Sequence, residues 1–509
     1  MNTLIPLFVI VPLGVAFLIA IISRILPGFH YAVTPAGLIV LFSLALWFLL
    51  SAPAGPLVYK VGGWEPIAGI PVGIHLVIDG FSLLLLLIIN LLGCLVAIYA
   101  IPYLEKFTGI SYFYILLNLM IAGMNGVVIT GDLFNLFVFL EISVIASYAL
   151  VAFGTEKEEL EASFKYQVLG GIASLFILFG IGMIYWYAKS LNMADIGQYI
   201  RANNNNPVIR FTEILMIAGF GLKAAIVPFH AWLPDAHSSA PSPISAMLSG
   251  VFIKAIGVYA ILRIFFCMFP VSQQVSVAIT VIGVLSMVAG VFLAIGQWDL
   301  KRLLAYHSIS QMGYVIMSAG IGMMILTTTG NIGLASLAIG GALFHLLNHA
   351  TFKGLLFLNA GAIEYRLHTR NLKEMGGLSG SMPITSATSF GASMAISGIP
   401  PFNGFFSKLV IIVAAVRAGY TALAVLAVLV SIITLASFLK FQRYAFQGKK
   451  RENLPEKLET PFGMCFSMVT LGVLCILLSL LIIPGLWDII LTPAIRSLLG
   501  VTGTVLTAN

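Results

Sequence analysis

The sequence predicts an all-α polytopic membrane protein with about fourteen transmembrane helices. Three observations predict this class. Hydrophobic residues make up 60% of the 509 residues and charged residues only 9%, whereas about 25% of a soluble domain is charged. The mean hydropathy is +1.05. Apolar segments follow one another along the whole chain, and many approach the roughly 20 residues that span a bilayer as one helix.

The predicted transmembrane helices are separated by short polar or Gly- and Pro-rich segments. They lie near residues 3–23, 31–50, 79–103, 111–130, 133–153, 167–188, 209–233, 243–266, 274–296, 303–326, 331–362, 383–416, 419–439 and 461–484. Residues 51–76 predict a loop or small hairpin outside the membrane. The charged residues 156–165 predict a helix at the membrane interface before the sixth span, and RANNNNP at 201–207 predicts a solvated loop.

The polar composition excludes several classes of function. The formal net charge is only +7, and Lys-Lys-Arg at 449–451 is the one tight basic cluster, so no nucleic-acid partner is expected. The four cysteines include no CxxC pair and are interpreted as core residues, without a disulfide or an iron–sulfur cluster. The sequence has no Walker loop, GxSxG motif or dinucleotide-binding fingerprint. We therefore expect no catalytic residue, no cofactor and no metal in this chain.

The distribution of basic residues predicts the orientation in the membrane. If the N-terminus faces outward, the cytoplasmic loops carry roughly twice as many Lys and Arg residues as the outer loops. Both termini then lie outside, and the basic cluster at 449–451 is cytoplasmic. We expect a multi-pass protein of the cell membrane.

Some charged residues fall inside the predicted spans. The informative ones are Glu141, Lys223, Lys254, Lys353 and Lys408. A charge at the bilayer centre costs roughly 2.5 to 3.5 kcal/mol on insertion scales, so such residues face a polar interior and mark ion paths. A lysine near a helix end can instead extend to the lipid headgroups. This alternative stays open for Lys353, which is otherwise a candidate for a proton relay.

Two motifs inside predicted spans resemble each other. IVPFHAWL at 226–233 aligns without gaps on IPPFNGFF at 399–406, and each lies close to a buried lysine. Pro228, Pro400 and Pro401 are expected to break the seventh and twelfth helices, because proline removes a helical hydrogen bond. The alternative is that these prolines only kink helices packed in protein.

Further similarities keep the same order along the chain. ASFK at 162–165 resembles ATFK at 350–353, and an Asp-Leu pair opens both the fifth and the tenth helix. Helices 4–8 and 9–13 are therefore interpreted as two five-helix repeats, the second inverted because the number of helices is odd. Four regions are predicted. Residues 1–110 contain helices 1–3 and the extramembrane hairpin, residues 111–267 form the first repeat, and residues 274–445 form the second. Residues 446–509 contain helix 14 and the tail.

Histidines lie between the lysines in the sequence. His230 and His237 follow the first helix break, His307 lies in the tenth helix, and His345 and His349 stand one turn apart in the eleventh. This spacing can bind zinc, but HLLNH lacks the glutamate of HExxH. Neutral imidazoles that titrate near pH 7 are suited to a proton relay. The alternative for each is a hydrogen-bonded packing residue.

Longer segments resemble a known family. GDLFNLFVFLEISVIASYALVAFG, FGLKAAIVPFHAWLPDAHSSAPSPISAMLSG, FIKAIGVYAILR, LAYHSISQMGY and GIPPFNGFFSKL are similar to antiporter-like subunits of respiratory complex I, Mrp-type cation/proton antiporters and membrane-bound energy-converting hydrogenases. The resemblance covers nearly the whole chain and is closest to the Mrp D-type subunit and its archaeal hydrogenase counterpart. It implies proton transfer by Glu141, Lys223, Lys254 and Lys408, which match the family's positions on helices 5, 7, 8 and 12.

The resemblance also implies partners. Such subunits act beside other antiporter-like and small membrane subunits, and in some complexes beside a hydrogenase or dehydrogenase module. The chain ends soon after its fourteenth predicted span, without a lateral amphipathic helix. This departure favours electrostatic over mechanical coupling.

The resulting hypothesis is a proton-translocating subunit of a multisubunit complex, coupled to Na⁺ exchange or to a redox module. Separation of Glu141 from Lys223 sends a proton to Lys254, then through the histidines of the eleventh helix and bridging water to Lys408. Three alternatives stay open: sodium bound by carbonyls freed at the helix breaks, a structural membrane anchor whose charges only clamp helices, and a self-sufficient carrier. The sequence leaves the parent complex open among an antiporter, a hydrogenase, a sulfur reductase and a quinone-linked dehydrogenase.

Overall fold

The computed structural model describes residues 1–51, 55–64, 73–203, 206–448 and 458–500. Over these residues the chain is almost entirely helical, which confirms the predicted fold class. Two short strands, β1 (Leu57–Lys60) and β2 (His75–Ile78), pair antiparallel and form the hairpin expected between the second and third spans.

The α-helices are mostly long, apolar and joined by short loops. Within the described residues they are α1 (Leu7–Ile22), α2 (Phe29–Leu50), α3 (Gly80–Tyr103), α4 (Ile110–Ile129), α5 (Leu133–Val151), α6 (Lys157–Ala188), α7 (Met193–Ala202), α8 (Pro207–Lys223), α9 (Trp232–Ser239), α10 (Ser242–Met247), α11 (Tyr259–Arg263), α12 (Gln273–Ile295), α13 (Leu300–Thr328), α14 (Ile332–Leu367), α15 (Leu378–Ser381), α16 (Pro383–Ser397), α17 (Asn403–Arg417), α18 (Thr421–Gln442), α19 (Phe462–Leu477), α20 (Pro484–Ile490) and α21 (Thr492–Leu499). Short π-helical turns occupy Leu248–Phe252, Lys254–Val258, Ile264–Met268 and Arg443–Gln447.

Most of the long helices can cross a membrane. In the described part of the chain, 12 helices, some of them continued by 3₁₀ or π turns, have the length and apolar composition of a membrane span. They coincide with the predicted spans except those near 209–233 and 383–416. There the chain forms α8 followed by α9, and α16 followed by α17, with a break inside each pair. The total of fourteen spans stays a prediction.

The two breaks have the same backbone arrangement. Ala225 and Gly398 directly precede the two motifs and have positive φ angles of 52° and 76°. The next residues, Ile226 and Ile399, each donate their N–H to a carbonyl in the last turn of the preceding helix. A left-handed residue after a helix end satisfies carbonyls that the helix leaves free. Both helices therefore end at the motifs that were predicted to break them.

The first helix pairs of the two predicted repeats share their contacts. The hydroxyl of Ser143 in α5 donates to a carbonyl of α4, and the hydroxyl of Ser310 in α13 donates to a carbonyl of α12, both at 2.8 Å. A Cβ on Gly123 would lie 2.6 Å from Ser143, and one on Gly290 would lie 2.5 Å from Ser310. Glycine thus allows the same close approach in both pairs. The inversion of the repeats and the domain boundaries stay predictions.

Some connecting segments differ from the sequence prediction. Residues 157–165 are helical, as predicted, but they are continuous with the sixth span, because Glu156 and Glu159 form a capping box that begins α6. The loop predicted at 201–207 begins inside α7. The basic cluster at 449–451 lies outside the described residues.

Candidate functional site

Glu141 and Lys223 form an ion pair between α5 and α8. The Nζ of Lys223 lies 3.6 Å from Oε1 of Glu141. Lys223 ends α8 and is 1% exposed, whereas the Glu141 side chain keeps 28% of its surface exposed. An acid and a base at this distance stabilise each other's charge in a medium of low dielectric. The structure therefore brings together the first two residues of the predicted path.

Ser174 of α6 lies between the two charges. Its hydroxyl donates to Oε1 of Glu141 at 2.5 Å and accepts from Nζ of Lys223 at 3.0 Å. Lys223 also donates to the carbonyl of Gly170 at 3.0 Å. A hydroxyl that both donates and accepts joins the ammonium and the carboxylate in one hydrogen-bonded chain. Sequence reasoning missed Ser174, because nothing distinguishes one serine in an apolar helix from the others.

Aromatic side chains hold the end of α8 in place. The indole Nε1 of Trp232 donates to the carbonyl of Leu222 at 2.8 Å, one residue before Lys223. The ring of Tyr166 in α6 stacks on this indole, with centroids 4.3 Å apart. A carbonyl at a helix end lacks a partner within its own helix, so this contact fixes the backbone that carries Lys223.

Lys254 lies in the irregular eighth span. It is fully buried, and its Nζ donates to the carbonyl of Ser249 at 2.7 Å. π-helical turns at Leu248–Phe252 and Lys254–Val258 surround this contact. Such turns are frequent at functional sites because they re-aim side chains and free carbonyls.

Gly257 brings the segments that carry Lys223 and Lys254 into contact. It packs on Ala224, where a Cβ on Gly257 would lie 2.5 Å from the backbone. Since Ala224 directly follows Lys223 and Gly257 lies three residues after Lys254, the two lysine-bearing segments touch at this point. The second step of the predicted path thus crosses a helix contact that only glycine allows.

His345 of α14 has two hydrogen-bond partners. Its Nδ1 lies 2.9 Å from Oγ of Ser407, and its Nε2 lies 3.2 Å from Oε1 of Gln311. Ser407 directly precedes Lys408 on α17. The imidazole therefore links α13 to the helix that carries the last lysine of the predicted path.

His349 lies on α14, one turn after His345 and one turn before Lys353. It is fully buried, and neither ring nitrogen has a hydrogen-bond partner among the described residues. An unpartnered imidazole with this position can accept a proton from one lysine and pass it to another.

Lys408 stands at the far end of the row. Its Nζ donates to the carbonyl of Ile396 at 2.7 Å and to the hydroxyl of Ser431 at 3.1 Å, and lies 4.9 Å from the centroid of the Tyr314 ring. Among the described residues, no carboxylate forms an ion pair with it. Because its acceptors are neutral, release of its proton leaves no buried anion behind.

The other relay candidates lie in different surroundings. His307 is buried and lies 2.8 Å from a serine hydroxyl of α18, and Lys353 donates to the carbonyl of Leu304 in α13. Since Lys353 is fully buried, it does not reach the headgroups. His237 is also fully buried, with no hydrogen-bond partner for its ring among the described residues. His230 is only half-buried, in the loop of the first break.

Carbonyls freed at the helix breaks are engaged by protein donors. At the first break Trp232 donates to the carbonyl of Leu222. At the second break, Lys408 donates to the carbonyl of Ile396. Ser431 donates to the carbonyl of the next residue, Ser397, at 2.8 Å. The three prolines of the breaks are exposed at the surface of the chain: Pro228, Pro400 and Pro401.

These contacts define a helical membrane protein with a buried row of acid–base groups across two similar halves. Within the described residues, no group of three or more His, Cys, Asp or Glu side chains has the arrangement of a metal site. The chemistry that the row can perform is to hold and transfer protons.

Comparison with known proteins identifies the family. The family described as NADH:quinone oxidoreductase/Mrp antiporter, TM, matches residues 130–434, and that described as NADH-Ubiquinone oxidoreductase (complex I), chain 5 N-terminus, matches residues 64–114. The chain therefore belongs to this family of antiporter-like membrane subunits, as its motifs predicted.

Two curated relatives come from the two branches of the family. The N subunit of the NADH-quinone oxidoreductase of Desulforudis audaxviator is 34% identical, over 93% of this chain and 95% of the relative. The D subunit of the Na⁺/H⁺ antiporter of Alkalihalophilus pseudofirmus is 35% identical, over 78% of this chain and 77% of the relative.

Two solved structures share the fold over the full length. The Mrp complex from Dietzia sp. contains a chain with a TM-score of 0.88 and 28% identity, covering 99% of this chain and 98% of that one. The membrane-bound sulfane sulfur reductase, an archaeal respiratory membrane complex, contains one with a TM-score of 0.87 and 30% identity, covering 99% of both chains. The chain is thus a multi-pass integral membrane protein.

Proposed function

We propose that this chain translocates protons as one subunit of a multisubunit membrane complex. The protons pass along Glu141, Lys223, Lys254, the histidines of α14 and Lys408. The observation that carries the proposal is the Glu141–Lys223 ion pair joined by Ser174 and followed by buried lysines with neutral acceptors.

The ion pair is the switch of this mechanism. While the pair is closed, each charge stabilises the other. When the pair separates, Lys223 becomes an unpaired cation in a medium of low dielectric, which is unfavourable. Transfer of its proton towards Lys254 relieves this cost, His349 passes the proton on through bridging water, and Lys408 releases it. The pair closes again when Lys223 regains a proton.

A neighbouring subunit covers the face of α5 that carries Glu141. Val138 and Ile145 on the same face are 38% and 62% exposed. A partly exposed carboxylate on a lipid-facing surface is unfavourable, so a protein partner is the better neighbour for it. The relatives from the Mrp complex and the sulfane sulfur reductase are themselves subunits of larger assemblies. The charge of such a neighbour can open or close the ion pair.

The parent complex either exchanges cations or couples to a redox module. Relatives are named for Na⁺/H⁺ antiport and for quinone reduction, and this chain takes the proton-moving part in both cases. Binding of Na⁺ at the helix breaks is disfavoured, because freed carbonyls there already accept from Trp232, Lys408 and Ser431.

The proposed location is the cell membrane, with both termini outside. Backbone bridges join loops that this topology places on one side: Leu76 with Thr130 and Asp132 with Asn192 on the outside, and Asp299 with Asn371 on the inside. These contacts support the proposed orientation of loops relative to one another.

Proton uptake by the purified complex in vesicles tests the proposal. Lys254→Met and Lys408→Met are expected to lower uptake by at least about tenfold, because a positioned proton donor contributes this much or more. Lys373→Met is the matched control, since Lys373 is exposed in a short 3₁₀ turn and its Nζ lies over the ring of Trp298, which is not part of the row. Uptake at the wild-type rate in all three variants, with the complex assembled, would instead identify a structural anchor.

A further inference from the structure

One face of α13 presents polar groups along much of its length. Lys301, Ser308 and Gln311 are spaced by seven and three residues, and the carbonyl of Leu304 lies on the same side, as the helical repeat requires. From Lys301 to Gln311 the helix rises about 15 Å. This face therefore reaches from the start of α13 to near the middle of the helix.

Each of these groups contacts a residue of the central row or its surroundings. The contacts are Ser308 with Ser249 at 2.7 Å between hydroxyls, Gln311 with His345 at 3.2 Å, and the Leu304 carbonyl with Lys353. The polar face of α13 thus leads away from the row towards one membrane surface, and it ends at Lys301.

Lys301 forms a second ion pair, with Glu364 near the end of α14. Its Nζ lies 3.8 Å from Oε2 of Glu364. The lysine side chain is 2% exposed and the glutamate side chain 29% exposed, so the pair joins the interior to the surface. Arg370 lies 3.7 Å from the other carboxylate oxygen. The carboxylate therefore keeps a cation beside it when Lys301 turns away.

His237 lies on α9, the helix that ends beside this pair. Lys301 donates to the carbonyl of Ala240, just beyond the end of α9. The ring of Phe357 lies between His237 and Lys353, with its centroid 5.9 Å from that of the imidazole and 5.5 Å from Nζ of Lys353. The two ring nitrogens of His237 are buried and unpartnered among the described residues. An imidazole in this position can exchange protons with the lysines around it.

We propose that Glu364 and Lys301 are the proton-uptake site of this chain, connected to Lys254 by His237 and Lys353. This inference rests on the proposed function. A proton from water binds the Glu364 carboxylate, and Lys301 gives its own proton to His237. His237 passes a proton to Lys353 or Lys254, and Lys301 regains one from Glu364. Each step moves one proton and changes no other bond.

Glu364→Gln in the assembled complex tests this inference. We expect proton uptake by vesicles to fall by about tenfold or more, because the carboxyl group that collects protons is lost. Formate at neutral pH is expected to restore much of the rate, since a small weak acid can reach a side chain that is 29% exposed and supply the proton. A purely structural role for Glu364 predicts no such rescue.

Arg302→Gln is the matched control. Arg302 follows Lys301 directly but pairs with Asp235 at 2.9 Å and is 40% exposed. We therefore expect Arg302→Gln to take up protons at the wild-type rate, and we expect formate not to change that rate. Should Glu364→Gln fail to assemble, Glu364→Asp keeps a carboxylate with a shorter reach, and we expect slower uptake that formate restores.

Two outcomes overturn the inference and leave the proposed function standing. The first is that the Glu364 variants take up protons at the wild-type rate. The second is that they take up protons slowly and formate does not restore the rate. In both cases Lys254→Met still loses uptake. If Lys254→Met also transports at the wild-type rate, the proposed function itself fails.

Discussion

The Nζ of Lys223 lies 3.0 Å from the hydroxyl of Ser174, closer than the 3.6 Å that separates it from the carboxylate of Glu141. A direct bond between an ammonium and a carboxylate is normally about 2.7 to 2.9 Å long. The ion pair is therefore bridged by a hydroxyl, and its two charges can separate without loss of both hydrogen bonds at once.

Ser174→Ala is expected to slow proton uptake several-fold while the complex still assembles. The hydroxyl carries a hydrogen bond to each charge, and the net contribution of one hydrogen bond to a charged group is about 1.5 to 3 kcal/mol, which a large complex can tolerate. Uptake by vesicles and the Tm of the purified complex are the measurements. Ser174→Thr keeps the hydroxyl and is expected to transport well.

Ser163→Ala is the control for this change. Ser163 lies on the same helix and donates to a backbone carbonyl at 2.8 Å, away from the ion pair. Equal effects of the two alanine variants on uptake would show that Ser174 acts only through helix packing.

The double variant Glu141→Gln with Lys223→Met separates a proton switch from a structural clamp. Glu141→Ala alone leaves Lys223 unpaired and is expected to lower the Tm. Breaking a fully buried pair costs roughly 3 to 5 kcal/mol of stability, and the cost here is expected to be smaller, because the Glu141 side chain is 28% exposed. The double variant removes both charges at similar volume, so stability is expected to return. Uptake is expected to stay lost, because methionine carries no proton.

A clamp predicts the opposite result for uptake. If the charges only hold α5 and α8 together, removing both restores stability and transport in parallel. Thermal unfolding of the purified complex and uptake by vesicles, measured on the same preparation, distinguish the two cases.

The sequence predicts those features that depend on solvent and on local chemistry. The lengths of the apolar segments predicted the positions of nearly all the membrane helices, because a helix needs about 20 apolar residues to span the lipid. The paired motifs marked both helix breaks, where Ala225 and Gly398 take left-handed conformations. Charges inside spans singled out Glu141 and the lysines, since a buried charge needs a partner or a function.

Other parts of the site depend on which helix faces which. Ser174 bridges the ion pair only because α6 packs beside α5 and α8, and Gln311 reaches His345 only because α13 packs beside α14. Single residues of this kind have no periodic signal. The partial exposure of Glu141 also depends on packing, and the sequence alone does not show that this side chain lies partly at the surface of the chain.

Cysteine labelling tests the proposed topology at two exposed lysines of described loops. Lys373→Cys is expected to react from the cytoplasmic side and Lys189→Cys from the outside, because the loop on the first side carries more basic charge. Cys267 is the partly exposed native cysteine, so Cys267→Ser provides the background. Reaction from the opposite sides would contradict the orientation that the basic residues predict.

Gly257→Ala tests whether the contact between α8 and the eighth span carries the transfer from Lys223 to Lys254. The added Cβ would lie 2.5 Å from the backbone of Ala224, so the end of α8 must move. Overpacking of this kind typically costs about 1 to 3 kcal/mol, which a large complex can tolerate. We expect the complex to assemble with a lower Tm. At a temperature well below that Tm, we expect the uptake rate per assembled complex to be reduced as well.

Gly171→Ala is the control, since a Cβ there meets nothing within 4 Å, and alanine is favoured over glycine in a helix by about 1 kcal/mol. Normal uptake in Gly257→Ala would show that the proton does not cross between the two segments at this point.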